Sequence, residues 1–95
     1  MTNLEVHLDP TFHLVGAIVQ SDDAADLSQD MIDIRLPNGL LVHAGWYPDS
    51  DPNGEYRITL YRGLQRVRAP IYTKDAWQAV EELTNLCKAE EITWT

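Results

Sequence analysis

Ile32-Asp33-Ile34-Arg35-Leu36-Pro37-Asn38-Gly39-Leu40-Leu41-Val42-His43-Ala44 is two runs of alternating apolar and polar residues joined by a turn. Pro presets φ near −65° for the first corner of a type I turn, Asn tolerates the second, and Gly takes the left-handed position of a bulge. A two-residue Asn-Gly loop would set Ile34 against His43 and mix the faces. A three-residue loop over 37–39 sets Leu36 against Leu40, Ile34 against Val42 and Ile32 against Ala44, leaving one side consistently apolar.

The same tripeptide returns as Pro52-Asn53-Gly54. Read the same way, it pairs Asp51 with Glu55, Ser50 with Tyr56, Pro48 with Ile58 and Trp46 with Leu60. It also expects positive φ at both Gly39 and Gly54. The result is a meander of strands 31–36, 40–47 and 55–62, with Trp46 on the apolar face of Val42 and Ala44. On the other face it places Asp33 beside His43, Asp49 beside Arg57, Tyr47 beside Thr59, and Tyr61 over Gly45.

Outward from the meander, Leu4, Val6 and Leu8 alternate as a strand over 4–8, ended by Asp9-Pro10. Residues 12–20 are apolar on both faces, the pattern of a strand near the middle of a sheet or under a cover. The acidic stretch 21–30 reads as a short helical turn or as an acidic loop. After Gly63, residues 66–72 continue the sheet with Val67, Ala69 and Ile71 inward, and Pro70 marks an edge strand. Thr73 is the expected N-cap of a helix of about four turns, with Ala76, Ala79, Val80, Leu83, Leu86 and Cys87 on its apolar stripe. Ile92 and Trp94 alternate with Thr93 and Thr95 as a short last strand. The expectation is one α+β domain over 1–95, a mainly antiparallel twisted sheet of five or six strands with one C-terminal helix on one face.

The chain has 95 residues, one cysteine and a net charge of −8, from fifteen acidic against seven basic residues. At this length a domain buries about two-thirds of its unfolded surface and folds without staples. A lone Cys87, no signal-like start and no long apolar run point to a cytoplasmic protein with no membrane partner. The excess of acid disfavours nucleic acid and anionic lipid. The layout of a meander and one helix recurs in small bacterial proteins, which sets the expected origin.

Few residue groups suggest chemistry. Arg57, Arg66 and Arg68 with Tyr47, Tyr61 and Tyr72 are the arginine forks and aromatic faces that bind phosphates, bases or acidic partners. Asp33 and His43 resemble the lower half of a catalytic triad, but Ser50 near a turn and Cys87 on the buried helix face offer no obvious nucleophile. Asp49, Asp51, Asn53 and Glu55 match the opening of a calcium loop whose bidentate acid is missing, since Leu60 stands at the twelfth position. His7, Asp9 and His13 lack the further ligands of a zinc site. No motif implies a cofactor. The leading expectation is a non-enzymatic interaction or accessory module that binds another protein or itself as a homodimer. An alternative is a nucleic-acid or phosphorylated-ligand binder using the Arg/Tyr face, and a third is a small enzyme built on Asp33 and His43.

Overall fold

The computed structural model describes residues 1–92. Its order is β1 (Thr2–Leu4), β2 (His13–Gly16), β3 (Ile18–Gln20), a 3-10 turn (Ala24–Asp26), β4 (Ile32–Arg35), β5 (Leu40–Tyr47), β6 (Glu55–Arg62), β7 (Gln65–Arg66), β8 (Ile71–Thr73) and α1 (Ala76–Ile92). Strands β2-β4-β5-β6 form an antiparallel sheet whose far edge is shared by β7 and β8, both paired to β6, making six strands. Strands β1 and β3 form a separate two-stranded sheet. The helix packs on one face, against β6, β8, β5 and the small sheet. This is an α+β fold in which no helix among the described residues is long and apolar enough to cross a membrane.

The first hairpin has the expected register: Ile32 opposes Ala44, Asp33 His43 and Ile34 Val42. The Leu36 N–H donates to the Leu40 carbonyl at 2.9 Å, the Gly39 N–H to the Leu36 carbonyl at 3.0 Å, and Gly39 has φ 87°. Asn38 adds its Oδ1 as acceptor for the Leu40 N–H at 3.0 Å.

The second hairpin differs. Trp46 opposes Tyr56, not Leu60, and Tyr47 opposes Glu55 in place of Asp51, so residues 48–54 form a longer loop. Gly45 therefore lies opposite Arg57, His43 opposite Thr59 and Leu41 opposite Tyr61. The cause is the Trp46 indole. Its Nε1–H donates to the Asp51 carbonyl at 2.7 Å, and its ring meets Tyr56 edge-on with centroids 5.0 Å apart. Gly54 does not take positive φ; the left-handed residue of this loop is Ser50, at φ 57°. Gly54 is required for space, because a Cβ there would lie 2.5 Å from Trp46 Nε1. The slip is even, so inside and outside are unchanged.

The core contains Ile32, Ile34, Leu36, Val42, Trp46, Ile58, Leu60 and Leu83 as expected, with Val80 half-buried at its margin. Ala76, Ala79, Leu86 and Cys87 complete the helix stripe. The helix is capped by Asp75, two residues later than expected, whose Oδ1 accepts the Gln78 N–H at 3.0 Å while its carbonyl accepts that of Ala79 at 2.9 Å. Thr73 ends β8 and accepts the Asp75 N–H at 3.1 Å instead.

Four further expectations are corrected. The 12–20 strand is neither central nor continuous. Gly16, at φ 93°, sits so close to the Met31 carbonyl that any Cβ would collide, and the chain bends there. One half, β2, becomes an edge of the large sheet; the other, β3, leaves to pair with β1. Because β3 begins at Ile18 opposite Leu4, residues 5–8 have no ladder partner among the described residues, although Val6 and Leu8 still pack against the core. The 66–72 strand is interrupted. Across β6 the pairing shifts by two residues between Arg66 and Ile71, leaving Val67 and Ala69 exposed in a bulge that holds Pro70. Ile92 belongs to α1, and the rest of the expected last strand, Thr93 to Thr95, lies outside the described residues.

Candidate functional site

The helix covers the inner face of the sheet, so the odd-numbered residues of β4, β5 and β6 form an outer face. Asp33 and His43 meet there as the register requires, with His43 Nδ1 2.7 Å from Asp33 Oδ1. The imidazole is only 14% exposed because the chain at Gln29 crosses the outer face above Gly45, where a Cβ would run into the Gln29 backbone. This crossing is fastened by several bonds. The Trp46 N–H donates to the Ser28 carbonyl at 2.8 Å, the Ser50 N–H to the Leu27 carbonyl at 2.9 Å, and the Gln29 N–H to Asp49 Oδ1 at 2.9 Å.

His43 Nε2 faces the Gln29 carbonyl at 3.1 Å and the Tyr47 hydroxyl at 3.2 Å, with Asp30 Oδ1 at 3.8 Å. Nδ1 is engaged by Asp33, and Nε2 has the Gln29 carbonyl as acceptor when it carries a proton and the Tyr47 hydroxyl as donor when it does not, so both ring nitrogens have partners. A general base must present an unshared nitrogen to its substrate, and here that position is held by the protein's own oxygens. The pair positions Tyr47 and pins the crossing segment.

Tyr47 in turn carries Arg57. The guanidinium carbon lies 3.6 Å from the Tyr47 ring centroid, a cation over a π face. Opposite Arg57 is Gly45, whose outer side is taken by the Gln29 backbone, and the Arg57 side chain lies diagonally across to Tyr47. Arg57 Nε and the hydroxyl of Thr59, a side chain 1% exposed, are buried without a hydrogen-bond partner. Among the described residues no carboxylate pairs with Arg57. Asp49, expected beside it, is turned to the Gln29 N–H. Tyr72 lies opposite Arg57 on β8 and is 51% exposed, while Tyr61 lies between Leu41 and Arg66. The outer face thus joins Asp33, His43, Tyr47, Arg57 and Tyr72, and carries Tyr61 and Arg66 at its far end.

Arg68 is not part of this group. Its Nη2 donates to Glu90 Oε1 at 2.7 Å and ties the edge bulge to the helix. The acidic loop is likewise dispersed into local bonds: Asp51 Oδ1 accepts the Asn53 N–H at 2.8 Å, and Glu55 enters β6. His7 pairs with Glu5 at 3.5 Å, His13 lies on β2, and Asp9 accepts the Thr11 N–H and hydroxyl at 2.9 and 2.8 Å, which lowers its carboxyl below the usual range. Among the described residues no group of three His, Cys, Asp or Glu side chains is placed to hold a metal. Burial pushes the Cys87 thiol up to about 12, so it offers no thiolate near neutrality. A hollow of about 580 Å³ lies elsewhere, between the N-terminal segment and the Trp77–Val80 side of α1.

The Gln29 crossing and the Arg57–Tyr47 stack are the parts that sequence reasoning missed. Gly45 inside a strand was their visible signal, since a bare backbone position there marks a close approach. No family model, no curated protein and no solved structure matches the chain.

Proposed function

We propose that this domain is a non-enzymatic protein-interaction module whose outer sheet face docks an acidic side chain of a partner protein onto Arg57. One observation carries this reading: in a chain with fifteen acidic residues, the Arg57 guanidinium is held over the Tyr47 ring with no described carboxylate paired to it. An arginine fixed by stacking and left uncompensated offers a preorganised fork to a carboxylate, and Tyr72 beside it supplies the rigid aromatic area that interfaces favour. Asp33 and Glu55 on the same face favour a protein partner, with charges of both signs, over a polyanion. The nucleic-acid alternative is weakened further because Arg68 is already paired to Glu90. The enzyme reading is weakened because the His43 nitrogens are both engaged.

The test is recovery of a partner from the native host by the wild type and by Arg57→Ala, beside titration with single-stranded and duplex oligonucleotides. Arg57→Ala should lower partner recovery about tenfold or more, and Arg57→Lys should not restore it, because an ammonium lacks the planar stacked fork. An oligonucleotide complex that falls steeply with salt and depends on Arg57 would replace this reading with the nucleic-acid one.

A further inference from the structure

The fold exposes strand edges of unequal kinds. The β7/β8 edge is interrupted by the bulge with Pro70, carries Arg66 and Arg68, and is tied to α1 through Glu90. On β3, the Val19 carbonyl accepts the Tyr56 hydroxyl at 2.6 Å, so that edge is capped by a side chain. These are the devices by which proteins prevent a strand from pairing with a stranger.

Strand β2 has none of them. All four of its residues are exposed, including Leu14 at 37% and Val15 at 59%, and no Asp, Glu, Lys or Arg occurs from residue 10 to residue 21. Its ladder shows which backbone groups remain open. The Leu36–Leu40 bond sets the even residues of β4 toward β5, so Asp33 and Arg35 bond to Val15 and His13, in phase with the Ala17 N–H donating to the Met31 carbonyl at 3.0 Å. Leu14 therefore directs both its N–H and its C=O off the sheet edge. Beside it, on the inner side, lies a hollow of about 290 Å³ lined by Leu14, Gly16, Ala17, Ile32 and Val6, with Glu5 and His7 at its rim.

We propose that β2 is a self-association edge: two copies pair antiparallel through β2 about a twofold axis near Leu14 and Val15, joining two six-stranded sheets into one. Charge selects the occupant. Two molecules of net charge −8 repel over most approaches, and this uncharged edge is where the repulsion is least. Symmetry then makes the contact self-complementary. Each open Leu14 N–H and C=O finds its equivalent across the axis, the Leu14 side chain of one copy enters the hollow of the other, and on the outer face Val15 of each copy stands opposite His13 of the other, with the two Val15 side chains diagonal to each other across the axis. This contact is separate from the Arg57 surface and does not depend on it.

Sedimentation equilibrium up to about 1 mM protein tests it. The wild type should form a reversible dimer, with the Leu14 amide gaining protection from hydrogen exchange as concentration rises. Leu14→Pro removes the outward N–H while sparing the ladder to β4, and should weaken the dimer about tenfold or more. Val15→Lys, at an exposed position that does not threaten folding, should weaken it similarly by placing like charges across the axis. Arg57→Ala should leave it unchanged. A wild type that stays monomeric over this range, a dimer indifferent to Val15→Lys, or one lost on Arg57→Ala would overturn the proposal.

Discussion

The two hairpins share the tripeptide Pro-Asn-Gly and use it for different ends. At Gly39 no atom lies within 4 Å of where a Cβ would stand, so the turn answers only to its own backbone and the loop has the length its residues prefer. At Gly54 an indole nitrogen occupies that space, and the loop answers to Trp46. A turn motif determines register where nothing leans on it, and yields where a large side chain with a hydrogen-bond donor needs the room.

The sharpest way to break the contrast is Trp46→Ala. It should cost about 3–5 kcal/mol in urea denaturation and erase the 48–54 loop contacts, while cross-strand amide contacts between Leu36 and Leu40 persist. Leu83→Ala should cost about 2–5 kcal/mol, because it empties core shared by both hairpins, and should not discriminate between them. A loss below about 1 kcal/mol would make the helix peripheral. Gly54→Ala should cost about 1–3 kcal/mol through collision with the indole and the Tyr47 carbonyl, with no relief from Gly54→Asn. Gly39→Ala should cost about 1 kcal/mol through backbone strain alone, and Gly39→Asn should recover most of it, because Asn tolerates the left-handed region. Equal rescue by Asn at both sites would erase the distinction.

The smallest effect, nil at neutral pH, separates the hairpins by titration. Burial, with a further contribution from the Asp75 charge, raises the Tyr56 phenol above its ordinary value of 10.0. The unfolded chain therefore ionises first, and stability should fall as pH rises past 10. Tyr56→Phe should flatten that part of the alkaline limb, measured by denaturation at stepped pH, although it also removes the bond to Val19.

Where neighbours in sequence decide the outcome, the fold was legible: the first hairpin, the helix stripe, the core face and the Asp33–His43 pair. Where a distant group decides, it was not. Gly16 bends its strand because of Met31, the second register follows Trp46, and the N-cap falls on Asp75 because β8 retains Thr73. The same division runs through the outer face. Asp33 beside His43 follows from a two-strand register, whereas Arg57 on Tyr47 and Gln29 over Gly45 depend on a loop and a crossing segment that no periodicity encodes.

The even slip of the second hairpin also bears on the energy landscape. Pairing Trp46 with Leu60 or with Tyr56 gives the same inside and the same outside, so to hydrophobic burial alone the two are near-degenerate basins. The gap between them comes from terms that care about sliding: the edge-on contact of Trp46 with Tyr56, the indole bond to Asp51, and a glycine just narrow enough to pass beneath the ring. Loop 48–54 is in this sense a selector among folded alternatives, and its residues act on uniqueness more than on compactness.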